Sequence, residues 1–345
     1  MDFQFEIQEG ETLMRPSFVR LSLFSLMALL VTQAGAESPK AKVKTYTKAD
    51  VERLMFKELS NWGRWGKNDQ LGTLNLITKK KRLEAVKQVR EGHSVSMARD
   101  TIKVQMDGSK PFQHKVLLGR PQGDIGSAGD FIGVEYHGFT QTHMDGLCHL
   151  FYKGKMYNGY SSKLVTEKGA AKLGIQQFKR GVMTRAILMD MPQLFGVRFL
   201  KGKRAIYPRD LEAWEKKAGV KVGSGDAVLI NTGRWLRRKT DGPWEIMQNS
   251  AGLHISCTRW LKKRDVAIVG SDLALDVMPS GVKGFELPVH WTVVVGMGMP
   301  ILDNCDFGPV SKACRKRKRW SFLLTVSPLA VPGGTGSPVN PIATF

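Results

Sequence analysis

From residue 47 onward, apolar runs of strand length alternate with helix-period patterns, and no long linker interrupts them. That alternation constrains the fold more than any other feature of the sequence. Strands that alternate with helices build a sheet covered by helices, an α/β domain. The strand-like runs fall at 184–191, 226–231, 266–269 and 322–326. Helical patterns fall at 79–90, 208–217 and 256–263, the second opened by Pro208-Arg209-Asp210-Leu211. An earlier helix is signalled by Thr47 as a cap with Asp50 three residues on, followed by Val51, Leu54, Met55 and Leu59 at helical spacing. Residues 61–78 read as a glycine-punctuated loop, and the chain after 326 as a Gly/Pro-rich tail. With 345 residues, 42% of them hydrophobic and 24% charged, the chain can bury a large core. Glycine and proline are scattered and no heptads or internal repeats occur, so fibrous, coiled-coil and solenoid architectures are excluded.

The N-terminus has a different character. Arg15 and Arg20 precede an apolar stretch from Leu21 to Val31, and Ala34-Gly35-Ala36 follows. A basic segment, a short apolar segment and a small-x-small site in that order read as a secretory signal. The run is too short to span a membrane, which takes about 20 apolar residues. The expected organisation is a signal peptide over 1–36, a lysine-rich linker over 37–46 and one domain over 47–345. Met14 is an alternative start, because residues 1–13 are acidic and unlike a signal. The expected location is secreted or periplasmic, with no stable membrane insertion after cleavage.

Charge bears on partners. Lysine and arginine number 52 against 31 acidic residues, a net charge of +21. Such a field attracts anionic substrates or surfaces at long range and says nothing about the fold. The sharpest cluster, Arg315-Lys316-Arg317-Lys318-Arg319, reads as a solvated helix end. No nucleic-acid partner is expected for an exported chain; the expected partner is a small-molecule substrate.

The chemistry concentrates at 131–152. Three of the seven histidines, His137, His143 and His149, lie within thirteen residues, and Asp145 is two after His143. Alternate residues of a strand share a face. A strand through this stretch would point His137, Phe139, Gln141, His143 and Asp145 the same way. Imidazole nitrogen and carboxylate oxygen together suit Zn²⁺, Mn²⁺ or Fe²⁺. A His-x-Asp pair alone is often an internal hydrogen-bonded pair; three histidines around it point to a metal. His149, after a turn at Gly146, is either a ligand or a base. A second region, 286–306, offers His290 and Asp303 as further ligands or as supports for the first group, although each alone reads as a core histidine and a cap.

Other chemistries lack their residues. There is no Cys-x-x-Cys, no Gly-x-Ser-x-Gly, and Gly296-x-Gly298 lacks the third glycine of a dinucleotide fingerprint. Cys148 inside the cluster reads as a small buried filler. Cys305 and Cys314, nine apart, are close enough for a loop disulfide in an oxidising compartment.

The stretch Phe139-Thr140-Gln141-Thr142-His143-Met144-Asp145-Gly146-Leu147-Cys148-His149 resembles the His-x-Gly-Thr-His-x-Asp-x-x-x-His hallmark of the metal-dependent cyclase family, which includes bacterial kynurenine formamidases and isatin hydrolases. Similar segments are Trp65-Gly66 through Asn75, His290 through Asp303, and the tail Gly333-Gly334-Thr335-Gly336-Ser337-Pro338-Val339-Asn340-Pro341. The resemblance covers roughly 60–345. It implies the swivelling β/β/α fold, a single domain with a mixed sheet and flanking helices, assembled as a homo-oligomer. It implies His143 and Asp145 as ligands of one or two divalent ions, Zn²⁺ or Mn²⁺, and His149 as general base. Phe139 stands where the family has its first histidine, and Gln141 where it has glycine. His137, two residues upstream, is the expected substitute ligand. Asp303 stands at the family's downstream glutamate and is one methylene shorter, with His290 before it. The implied function is hydrolysis of a small amide, lactam or related carbonyl compound by metal-activated water, with Trp62, Trp65, Phe139 and Phe151 as candidates for an aromatic wall. The alternative is a non-catalytic metal- or small-molecule-binding protein on the same fold.

Overall fold

The structure, a computed structural model, describes residues 44–345; the signal-peptide reading lies outside these residues. Nine strands form one mixed sheet: β1 (Ser94–Ser96), β2 (His143–Asp145), β3 (Val182–Asp190), β4 (Ala227–Asn231), β5 (Ile268–Ser271), β6 (Ile301–Asp303), β7 (Ser321–Val326), β8 (Gly336–Pro338) and β9 (Ile342–Thr344). Their order across the sheet is β1-β9-β7-β3-β4-β5-β6-β2-β8. The pairs β3–β4, β4–β5 and β5–β6 are parallel, and every other pair is antiparallel. The parallel centre consists of three of the runs read as strands in the sequence, plus β6; the fourth run became the antiparallel β7. Every residue of β4, β5 and β6 is buried, as expected where helices cover the faces.

Helices supply the crossovers. Between β3 and β4 runs α3 (Pro208–Ala218), started by Pro208 and by Asp210 accepting the Tyr207 N–H at 2.8 Å. Its buried Trp214 donates Nε1–H to the Leu188 carbonyl of β3 at 2.8 Å, fixing helix to sheet. Between β4 and β5 run α4 (Arg234–Asp241) and α5 (Cys257–Lys263). Before β6, a single α-helical turn at Pro288–Trp291 passes into a π-helical turn at Thr292–Gly296. After β6, α7 (Gly308–Arg317) returns the chain to β7; the label α6 is given to Pro288–Trp291, and α1 and α2 to Lys48–Arg53 and Lys79–Val86.

The entrance to β4 carries a buried charge. Asp226, fully buried, accepts from Lys81 Nζ (2.5 Å), Arg185 Nε (2.9 Å) and the Gly223 N–H (2.8 Å). Both of its oxygens are satisfied.

Some expectations change. The tail is not structureless: β8 in it forms one edge of the sheet, and β9 lies between β7 and the opposite edge strand β1. Strands of three residues carry too little periodicity to be read from sequence. A two-stranded ribbon, Gln113–Leu118 with Ala128–Gly133, was also unread. The expected strand through 137–145 is confined to 143–145, and residues 137–141 are a bent loop. All four cysteines are free and buried, so the disulfide between Cys305 and Cys314 is not formed; both lie in the main core. In the basic cluster, Arg317 and Arg319 pair with Glu91 while Lys316 and Lys318 are exposed. Tyr46, assigned to the linker, is buried against the His254 ring. Among the described residues no helix is long and apolar enough to cross a membrane.

Candidate metal centre

The short strand β2 lies between β6 and β8, and this register assembles the site. His143 is opposite Asp303, and Asp145 is opposite Gly336. Strand alternation puts His143 and Asp145 on one face, as the sequence predicts. His143 Nδ1 donates to the Gln141 carbonyl at 2.8 Å, which leaves Nε2 as the free nitrogen, 3.4 Å from Asp145 Oδ1. His137 reaches the same oxygen from the bent loop: its Nδ1 is 3.1 Å from Asp145 Oδ1, and its Nε2 is 3.0 Å from Thr335 Oγ1. Gly336 permits this approach, since a Cβ there would lie 2.9 Å from His137 Cε1. The Tyr136 ring flanks both imidazoles and its hydroxyl donates to the Gly336 carbonyl at 2.8 Å.

His149 closes the turn expected at Gly146, its N–H donating to the Gly146 carbonyl. Its ring stacks on His137, with centroids 3.6 Å apart and planes 2° from parallel. His290, on α6, sits behind. Its Nε2 is 3.1 Å from Asp303 Oδ2 and its Nδ1 is 3.0 Å from Asp276 Oδ2. Asp276 also accepts the N–H groups of Val289 (2.7 Å) and His290 (3.1 Å), so it caps α6 and orients the imidazole together.

The donor set fits a cation. Both oxygens of Asp145, Nδ1 of His137 and Oδ1 of Asp303 are buried and lack a hydrogen-bond partner. Buried polar atoms are ordinarily satisfied, and four orphans facing one region call for something to satisfy them. Among the described residues, two groups have ligand atoms within 4.8 Å of one another: His137, Asp145 and His149, and His143, Asp145 and Asp303. Asp145 belongs to both. Two nitrogens and carboxylate oxygens are the donor chemistry of Zn²⁺ and Mn²⁺.

Protonation follows the layout. Burial pushes His149 down to about 4, so it is neutral at pH 7. For His143 burial acts downward, but the Asp145 carboxylate outweighs it and the net shift is upward. His290 is raised well above its ordinary value, because Asp303 and Asp276 together overcome its burial. Asp145 is held well below the carboxylate range: burial opposes ionisation, and His149, His137 and His143 outweigh it.

The structure thus gathers all the residues singled out in the sequence: His137, His143, Asp145, His149, His290 and Asp303. The sequence reading missed Asp276 and the support at Tyr136 and Thr335. An aspartate four residues after the Asp272 that follows β5 was the available signal for Asp276. Of the four candidate aromatics, Phe139 lines a cavity of about 320 Å³ with His137, Gly138, Ser109, Lys110 and Glu135. Trp62 instead anchors its Nε1–H on the Val295 carbonyl, and Trp65 lies under Arg64. The 65–75 segment is structural: Asp69 accepts from Gly72 N–H, Asn75 and the Tyr157 hydroxyl. Cys148 is buried and its thiol is pushed up to about 12, in keeping with a filler.

The family profile named Cyclase matches residues 93–276, just over half of the chain. The chain belongs to the cyclase family. A crystal structure described as that of a novel cyclase is 28% identical, covers 84% of this chain and 98% of its own, and superposes with a TM-score of 0.74. Isatin hydrolase A from Ralstonia solanacearum is 18% identical, covers 77% of this chain and 97% of that one, and shares the fold with a TM-score of 0.50. No curated protein matches the chain. The cyclase match includes His137, His143, Asp145, His149 and Asp276, while His290 and Asp303 lie beyond its end.

Proposed function

We propose that this chain is an exported metal-dependent hydrolase of a small amide, lactam or related carbonyl compound. One observation carries the reading. Two imidazole nitrogens, His137 Nδ1 and His143 Nε2, approach the same oxygen of Asp145, and neither oxygen of that buried carboxylate has a hydrogen-bond partner. His137, His143 and Asp145 are assigned as holders of a divalent ion, Zn²⁺ or Mn²⁺. Asp303, held by the His290–Asp276 pair, is assigned to a second ion or to orienting the first. A bound ion of this kind polarises a carbonyl and makes water acidic enough to attack at neutral pH.

The chain's own groups supply the rest. His149 is neutral, so a ring nitrogen can accept the proton released as water attacks and return it to the departing nitrogen. Its stacking on His137 holds that ring beside the ion position. The cavity beside His137, at about 320 Å³, suits a small substrate. Lys110 and Glu135, paired at 2.6 Å at its rim, offer polar contacts of both signs.

The binding-protein reading has the same ligands but no use for a neutral, half-buried histidine at 149. Metal content and amide-hydrolysis rate, measured on His137→Ala and His149→Ala, separate the roles. His137→Ala is expected to lose metal and rate together. His149→Ala is expected to keep metal and lose the about 10²–10⁴-fold that general base catalysis supplies. A His149→Ala protein that empties the centre while His137→Ala stays loaded reverses the assignment. Absence of hydrolysis across a broad amide and lactam panel by the loaded wild type favours the binding protein.

A further inference from the structure

The loop 137–141 has no strand partner, yet its main chain is captured group by group by side chains from three distant elements. The Phe139 N–H donates to Ser109 Oγ at 3.0 Å. The Gly138 carbonyl accepts from Asn304 Nδ2 at 2.7 Å, and the Gln141 carbonyl accepts from the same nitrogen at 3.2 Å. The Phe139 carbonyl accepts from Arg234 Nη2. Arg234 is only 2% exposed and Asn304 not at all. Arg234 is anchored on Asp107 Oδ2 (2.9 Å) and Asn304 Oδ1 (3.0 Å), and its own N–H is held by Asp272 at 3.0 Å. One guanidinium therefore links the loop, Asn304 and Asp107 through two nitrogens held in a fixed fork, a geometry that the single nitrogen of a lysine does not reproduce. Gly138 completes the fit, since a Cβ there would lie 2.7 Å from Ser109 Oγ. The Phe139 ring is drawn into a separate apolar cluster with Ile246, Leu273 and Met278.

We infer that Arg234 and Asn304, with Ser109, are positioning residues that turn the chain at Gly138–Phe139 so that His137, rather than residue 139, presents its nitrogen to Asp145. The inference rests on the assignment of His137 as a ligand and explains how the centre is complete without a histidine at 139. A second consequence follows for His143. The carbonyl that fixes its tautomer, that of Gln141, is the one Asn304 holds. Arg234 and Asn304 thus act on both imidazoles without touching the ion position.

The test uses Arg234→Lys, which keeps the charge opposite Asp107 and removes the fork, with Arg237→Lys on the same helix as control. Two readouts are taken. In chelated protein, the His137 ring resonances report its stacking on His149; they are expected to move in Arg234→Lys and to stay in Arg237→Lys. By Co²⁺ titration, Arg234→Lys is expected to bind about 10–100-fold more weakly than wild type, the usual size for a residue that orients a ligand. Arg234→Lys combined with His137→Ala is expected to lose far less than the sum of the two single losses, because the arginine acts chiefly through that histidine. Unmoved His137 resonances, or losses that add, overturn the inference. If wild type binds no Co²⁺, the metal assignment fails, and the resonances still decide whether the clamp sets His137. Should Arg234→Lys not fold, Ser109→Ala, which removes only the Phe139 N–H acceptor, is expected to move the same resonances and weaken Co²⁺ binding several-fold; wild-type values for both refute the inference.

Discussion

Asp226 and Asp145 are both buried aspartates of this sheet, 0% and 1% exposed, and their surroundings are opposite. Asp226, at the amino end of β4, meets a lysine, an arginine and a backbone N–H. Asp145, at the end of β2, meets only imidazole nitrogens, and no hydrogen bond reaches either of its oxygens. A buried carboxylate whose oxygens accept no hydrogen bond is costly to keep, so one faced by imidazoles alone suits a cationic partner that is not part of the chain. Asp226 is finished by folding; Asp145 is finished by a ligand. The difference separates architecture from chemistry in a molecule with many buried charges. Asp272 falls on the structural side, since it accepts N–H groups from Thr232, Gly233 and Arg234.

Crossed substitutions sharpen this comparison most strongly. His143→Ala is expected to weaken metal binding by more than about 100-fold, beyond the effect of changing a supporting residue, while the chelated protein unfolds near the wild-type temperature. Asp226→Ala is expected to do the reverse. It removes the partner of a buried ion pair, costs about 3 kcal/mol in denaturant unfolding, and leaves metal stoichiometry unchanged. Loss of metal in a folded Asp226→Ala protein would erase the distinction.

A smaller effect concerns protons. In chelated protein, His290 lies between Asp303 and Asp276, and His143 beside Asp145, so both hold a proton above the ordinary histidine range. His149 is pushed down to about 4 and stays neutral as the pH falls through 6 and 5. Acidification followed by histidine NMR is expected to charge His290 and His143 well before His149. For His149 the folded state resists the proton that the unfolded chain accepts near 6.5, so its contribution to stability is present above that pH and declines toward 4. Protonation of His149 first would contradict the layout.

Much of the architecture was legible because it rests on local pattern. The runs at 184–191, 226–231 and 322–326 became β3, β4 and β7 with ends shifted by a residue or two, and Pro208 does start a helix. The centre was legible for a different reason: His143, Asp145 and His149 are brought together by one strand and one turn. What lay beyond reach depends on pairing across the chain. β8 is three residues whose strand character comes only from lying beside β2. Asp276 and Arg234 are ordinary charged residues in sequence; the role of Asp276 comes from meeting His290 on α6, and that of Arg234 from the carboxyl end of β4 meeting the loop at 137–141. The strand drawn through His137 failed because Ser109, Asn304 and Arg234 take the backbone groups a sheet neighbour would have taken.

The smallest expected effect is redox. Four free, buried cysteines predict that reductant leaves the unfolding temperature of the folded protein within about 1 °C and its non-reducing gel mobility unchanged. A reductant-sensitive band would restore the disulfide between Cys305 and Cys314.

The central claim is that Asp145 is completed by a metal ion, and the direct measurement is the metal content of protein purified without chelator, wild type beside Asp145→Asn. The account predicts at least one equivalent of a divalent transition metal in the wild type and none in the variant, with both folded. A wild type without metal, or an Asp145→Asn protein that retains it in full, contradicts the account.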